Sequence, residues 1–252
     1  MLLKNIISAS FLFVAISSIS VTQAADVNWG YFQHGEDEVV LPEKWGEHFP
    51  NCNGFQQSPI NIQDTNESET GEFHFNYHST PLKIINNGHT IEVEYEPGSS
   101  MTINNTEYRL LQFHFHTPSE HLVNGHSFPM EMHLVHTNTS GELAVIGVLI
   151  EEGKKHKTFA NIIKNAPLHI GEVEISGKHI NISDLLPDET EEYFNYAGSL
   201  TTPPCSEGVN WFVMEESITF SKKQIHEFEN IIHLNARPVQ EINSRIIYKN
   251  DD

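Results

Sequence analysis

Three histidines in this chain are spaced as metal ligands. In Leu111-Gln-Phe-His-Phe-His116 apolar and polar residues alternate, so in a strand Gln112, His114 and His116 line one face while Phe113 and Phe115 line the other. Two imidazoles then stand side by side. A second alternating run, Glu131-Met-His-Leu-Val135, can bring His133 alongside if the intervening residues fold back as a hairpin-like excursion, for which Asn124-Gly125 and Pro129 supply the turn chemistry. Three neutral imidazoles with one open position form the ligand set of a catalytic zinc site rather than a closed structural one. A metal-bound imidazole also needs an acceptor for its other ring nitrogen. Gln112 and Glu131, each two residues before a ligand on the same strand face, are placed to be those partners. A His-x-His pair alone is a weak signal, because surface and core histidines account for most such pairs; the convergence of several segments gives it weight.

The elements that must carry these residues are mostly strands. From Phe73 to Leu149 the chain alternates repeatedly between apolar and polar residues, with Asn87-Gly88, Pro97-Gly98, Asn124-Gly125 and Ser140-Gly141 as punctuation. Leu143 to Ile150 is a continuous apolar run, as expected of a strand covered on both faces. Helical periodicity is confined to 157–165 and 221–234, the second with Ser221 as N-cap and Gln224 three residues on. The Thr-Thr-Pro-Pro run between Gly198 and Cys205 must be extended or looped. No repeat, linker or composition break divides residues 25–252. The expectation is a single domain, mainly β with a few short helices (α+β), around a large, predominantly antiparallel central sheet carrying the metal site.

Residues 1–24 read differently: Lys4, an apolar run from Ile6 to Ile16, then Thr22-Gln-Ala24 with small residues at spacing two. This is the pattern of a secretory signal peptide cleaved after Ala24 or Ala25, and the run is shorter than the roughly 20 residues a membrane span needs. The protein is expected to be exported, to a periplasm or beyond the cell, without stable membrane insertion. Its formal charge of −20, from 14 basic and 34 acidic residues, repels phosphate backbones and makes nucleic acid a poor partner. Two cysteines, Cys52 and Cys205, would meet an oxidising compartment, where one disulfide is the default and two inert buried thiols the alternative.

In order along the chain, Trp29-Gly-Tyr31, Gln57-Ser-Pro59, Asn86-Asn-Gly-His89, Leu111-Gln-Phe-His-Phe-His116, Ser119-Glu-His121, Glu131-Met-His-Leu-Val-His136, Gly198-Ser-Leu-Thr-Thr-Pro-Pro204 and Trp211 closely resemble the alpha-class carbonic anhydrases of bacterial, secreted type. The resemblance runs from residue 28 to residue 248. It implies a zinc lyase that reversibly hydrates carbon dioxide to bicarbonate and a proton by attack of zinc-bound hydroxide, acting as a monomer or homodimer. It places the zinc ligands on His114, His116 and His133, in agreement with the strand argument. It also puts the hydroxyl that orients the nucleophile on Thr201, the carboxylate accepting from it on Glu120, and the proton shuttle on His89. The substrate pocket falls on Val135, Val145, Leu200, Thr202, Val209 and Trp211, and Cys52 and Cys205 match a disulfide of bacterial members.

Two positions depart from the better-known pattern. Thr117 follows the second ligand where a tryptophan is common, and Glu92 stands where an amide is usual, close enough to be expected to raise the pKa of His89. Two readings from other classes compete. A catalytically silent binding domain of the same fold would lack metal ligands, and a zinc scavenger would carry a flexible histidine-rich tract. This chain keeps the ligands, and its 16 histidines are dispersed.

Overall fold

The computed structural model describes residues 27–33, 38–68 and 71–250; the expected leader at 1–24 lies outside them. Eight strands carry the architecture: β1 (Thr80–Asn86), β2 (Ile91–Glu94), β3 (Thr106–His116), β4 (Met130–Thr137), β5 (Leu143–Glu152), β6 (Gly171–Ile180), β7 (Tyr193–Ser199) and β8 (Glu207–Met214). They lie in the order β6-β1-β2-β3-β4-β5-β8-β7 within a 13-stranded sheet, whose path continues through Tyr248–Asn250 and Asn66–Glu67. Most neighbours are antiparallel. Three pairs are parallel, among them β5 with β8, so the sheet is mixed with an antiparallel majority.

β5 is buried from Ala144 to Ile150, which its unbroken apolar run requires of a strand between two others and covered above and below. The alternation in β3 divides the two faces of the sheet. Phe113 and Phe115 enter the larger core with Met132, Leu134, Ile146 and Val148, while a smaller apolar cluster around Val145, Val209, Trp211 and Val213 covers the opposite face. Two helices seal the larger core. Helix α1 (Lys157–Asn165) buries Phe159, Ile162 and Ile163, and helix α2 (Lys222–Ile232) buries Ile225, Phe228 and Ile232, both on helical spacing. Ser221 and Gln224 form the expected capping box. Helix α2 stops two residues short of Leu234, because His233 turns to φ 64°.

The excursion between β3 and β4 is a small hairpin of Leu122–Val123 and His126–Ser127. Asn124 and Gly125 take φ values of 50° and 78°, the left-handed pair that tight hairpins favour. Cys52 and Cys205, 153 residues apart, are joined by a disulfide. In the chain-entropy model, closing a loop of that size stabilises the fold by about 5 kcal/mol.

Candidate metal centre

Strand pairing sets the centre. His133 on β4 lies directly opposite His114 on β3, and Glu131 lies opposite His116. The imidazole centroids are 5.0 Å (114 to 116), 5.3 Å (114 to 133) and 4.6 Å (116 to 133) apart, with ligand nitrogens of all three within 4.8 Å of one another. Each ring has one nitrogen committed elsewhere. His114 Nδ1 meets Gln112 Oε1 at 2.8 Å, His133 Nε2 meets Glu131 Oε1 at 2.9 Å, and His116 Nδ1 meets the Asn235 carbonyl at 2.8 Å. That leaves Nε2 of His114, Nε2 of His116 and Nδ1 of His133 to share one ligand.

The fit of a metal rests on an orphaned atom. His116 Nε2 is buried without a hydrogen-bond partner, a condition that native proteins avoid unless an ion or water completes it. A neighbouring trio, His121, Glu131 and His133, has comparable spacing but is satisfied internally: His121 Nδ1 and His133 Nε2 lie 2.7 and 2.9 Å from Glu131 Oε1. It has no vacancy for a cation to fill.

Burial lowers the pKa of all three candidate ligands, to about 4 for His116, and the charges of neighbouring imidazoles lower those of His114 and His133 further. They are therefore neutral at neutral pH, the form that binds a metal. Burial alone would raise Glu131, but attraction to His121 and His133 and their hydrogen bonds hold it well below the usual carboxylate range. Its Oε2 also accepts from the backbone N–H groups of Glu120 and His121, both at 2.8 Å. Space for it depends on Gly147, where a Cβ would stand 2.9 Å from Glu131 Oε1.

Glu120 is also buried, which pushes its carboxyl up to about 7 against the opposing pull of His133, the Arg237 N–H and the Thr201 hydroxyl. A cation held by the histidines would favour its ionised form. Oε1 accepts from Arg237 N–H at 2.9 Å, while Oε2 has no aligned hydrogen-bond partner. The expected Thr201 to Glu120 pair is thus adjacent, with its hydrogen bond not closed.

His114 and His116 open onto a cavity of about 130 Å³ whose polar wall includes Gln112, Glu92, Thr202 and His89. On the other side of the centre, the Trp211 ring lies 4.8 Å from that of His133, with Val145 and Val209 in its cluster and Val135 and Leu200 packed against it. Thr202 lines the polar cavity. His89 also lines a larger outer groove of about 790 Å³, so it sits at the junction of two spaces, and its ring stacks on Trp29 at 3.8 Å and 7°. Its pKa is lowered by burial, not raised through Glu92, whose own carboxyl is pushed up by burial and by Glu94. That expectation is corrected: on the half-buried ring, desolvation outweighs any stabilisation of the charged form. Sequence reasoning missed Asn235 and Arg237, whose bonds to His116 and Glu120 are made by backbone atoms.

Comparison with known proteins agrees with this geometry. The eukaryotic-type carbonic anhydrase family model matches residues 41–251. A carbonic anhydrase of Nostoc sp. is 40% identical over 257 residues, covering 97% of this chain and 95% of its own length. One from Pectobacterium atrosepticum is 36% identical over 250 residues, covering 97% and 99%. The solved structure of a hyperthermostable carbonic anhydrase from an active hydrothermal vent chimney superposes with a TM-score of 0.83 at 44% identity, over 89% of this chain and 100% of that one. With the matched region spanning both histidine strands, the disulfide and the Thr201 loop, the chain belongs to the alpha class of carbonic anhydrases, enzymes that hydrate carbon dioxide.

Proposed function

We propose that this protein is an exported, zinc-dependent catalyst of the reversible hydration of carbon dioxide to bicarbonate and a proton, with residues 25–252 as its catalytic domain. The observation that carries the zinc reading is the convergence of three uncommitted imidazole nitrogens, one of them buried without a partner. His114, His116 and His133 would hold the metal, and zinc in such a set supplies Lewis acidity that makes hydroxide available near pH 7, a value known for carbonic anhydrases as a class. Gln112, Glu131 and the Asn235 carbonyl fix the orientation and tautomer of the three rings, while burial keeps them neutral.

Thr201 has one proton. Given to ionised Glu120, it leaves the threonine oxygen able only to accept, so the attacking hydroxide is held with its lone pair towards the substrate. Carbon dioxide carries no charge and suits the apolar wall of Val135, Val145, Leu200, Val209 and Trp211, with Thr202 in the polar cavity to receive the polar product. Each turnover must also discharge a proton. An acid of pKa near 7 passes it directly to water only about 10³ times per second, so rapid turnover needs a carrier. His89, at the junction of cavity and outer groove, is that carrier: burial lowers its pKa, so the resting ring is neutral and ready to accept a proton that it then passes to buffer. The disulfide supports export to an oxidising compartment, and among the described residues no helix is long and apolar enough to cross a membrane.

Stopped-flow hydration with metal analysis of two variants tests this reading. His116→Ala should lose both zinc and activity. Thr201→Ala should keep one zinc per chain while hydration falls about a hundredfold, the usual loss for one oriented catalytic hydrogen bond. Full zinc content and rate in His116→Ala would falsify the ligand assignment, and loss of zinc in Thr201→Ala would make that residue structural.

A further inference from the structure

Asn235 is buried, and all its hydrogen-bonding groups are engaged around the site. Its carbonyl accepts from His116 Nδ1 at 2.8 Å, and its N–H donates to the Thr117 carbonyl at 2.9 Å. In the side chain, Oδ1 accepts from Thr117 N–H at 2.8 Å, while Nδ2 donates to the Phe115 carbonyl at 3.0 Å and to the His89 carbonyl at 2.9 Å. The amide has one usable orientation, because two carbonyls need donors and one N–H needs an acceptor. Four of these five bonds end on Phe115 to Thr117, at the end of β3 that bears the ligands. The fifth crosses to His89.

His89 lies outside the strands, between β1 and β2, so no ladder fixes its carbonyl. Its N–H bonds within its own turn, to Asn87 Oδ1 at 2.9 Å. Stacking on Trp29 sets the plane of the ring but leaves it free to slide parallel to that plane. The neighbouring Thr90 is held to this strand by its own hydroxyl, bonded to the Phe115 backbone, and the Asn235 amide adds the tie on the His89 carbonyl itself, linking it to the Phe115 carbonyl of the strand carrying His116.

We propose that the Asn235 side chain is a positioning residue for proton transfer, holding the His89 segment at a fixed distance from the metal-binding end of β3. The inference rests on the reading of His89 as the proton carrier. A relay through bridging water depends on donor and acceptor staying in register, and a displacement near 1 Å in a catalytic group is worth up to about a hundredfold in rate. The side chain does this separately from the backbone carbonyl, which orients His116 and survives any substitution at this position.

Asn235→Asp keeps the size, the backbone bonds and the acceptor for Thr117 but loses both Nδ2 donors. Asn235→Ala removes the side-chain bonds without adding a carboxylate. In dilute buffer both should lower maximal hydration by about fivefold, with added imidazole restoring it. Zinc content should stay at one per chain and kcat/KM for carbon dioxide within about twofold, since the proton leaves after the bond is made. In zinc-free protein, amide hydrogens of residues 87–90 should exchange about tenfold faster than in the parent. Combined with His89→Ala, neither variant should lower the rate beyond His89→Ala alone. Additive losses, a parallel fall in kcat/KM and zinc, or unchanged rate and exchange would each overturn the proposal. If His89→Ala has no effect of its own, the carrier reading falls and takes this inference with it; a normal His89→Ala effect beside a silent Asn235→Asp removes the inference alone.

Discussion

His136 has no place in the chemistry, yet it gives the fold a pH dependence. It is fully buried, Nε2 lies 2.8 Å from the Tyr77 hydroxyl and Nδ1 lies 3.0 Å from the Leu134 carbonyl. Burial holds its pKa down to about 3, against the opposing backbone hydrogen bonds. The folded ring therefore stays neutral where the unfolded one, with a pKa near 6.5, takes a proton. Its stabilising contribution is complete above about pH 6.5 and is lost progressively as pH falls towards 3, at about 1.4 kcal/mol per pH unit within that window. Urea midpoints measured from pH 7.5 to pH 5 should fall less steeply in His136→Gln than in the parent protein, whatever the offset in absolute stability. Parallel slopes would show that His136 already carries its proton in the fold. At this scale His114, His116 and His133 were legible because two-residue periodicity states which side chains share a face. Their partners were legible only in part. Gln112 and Glu131 stand two residues away on the same face, but Asn235 and Arg237 reach His116 and Glu120 from 119 and 117 residues along the chain, through backbone atoms that every amino acid possesses.

At the scale of elements, the rigidity of the centre comes from the opposite face of β3. Phe115, between two candidate ligands, packs 4.9 Å from Phe159 of α1 and 6.1 Å from Phe228 of α2, centroid to centroid, and Phe159 stacks on Phe220 at 4.0 Å. The helices thus clamp the strand from behind. Phe115→Ala should destabilise the fold by about 3 to 5 kcal/mol and also hasten release of zinc to a chelator under conditions where the protein stays folded. Urea unfolding and chelator kinetics measure the two effects separately; a loss of stability with unchanged release would mean that strand pairing alone holds the imidazoles. Helix α2 was readable from its capping box and β5 from its apolar run. Strand β6 was not: Glu172-Val-Glu-Ile175 alternates, but the run is short, and Ser176 to His179 beyond it is exposed sheet edge that carries no apolar face. The parallel junction of β5 and β8 was equally hidden: register between segments about 60 residues apart depends on the whole sheet closing, not on either segment.

Across the whole molecule, distant segments meet behind the site. Arg237 donates through Nη1 to Gln57 Oε1 and the Ser58 carbonyl, and through Nη2 to the Cys52 carbonyl, while its backbone N–H holds Glu120. Gln57 in turn donates to the Cys205 carbonyl. The last part of the chain therefore locks residues made much earlier. Because a ribosome builds in one direction, His133 is made roughly 100 residues before Asn235, a head start of about 5 to 20 seconds at ordinary translation rates. During that interval three imidazoles exist without the carbonyl that orients one of them or the strut that braces Glu120. Nascent chains arrested with residue 230 clear of the exit tunnel should surrender zinc to a chelator within seconds, whereas those exposing residue 245 should retain it. Equal retention would show that the two histidine strands suffice by themselves. If the chain is exported before it folds, as a secreted protein would be, the site closes and takes its metal where folding is completed rather than where its histidines were translated.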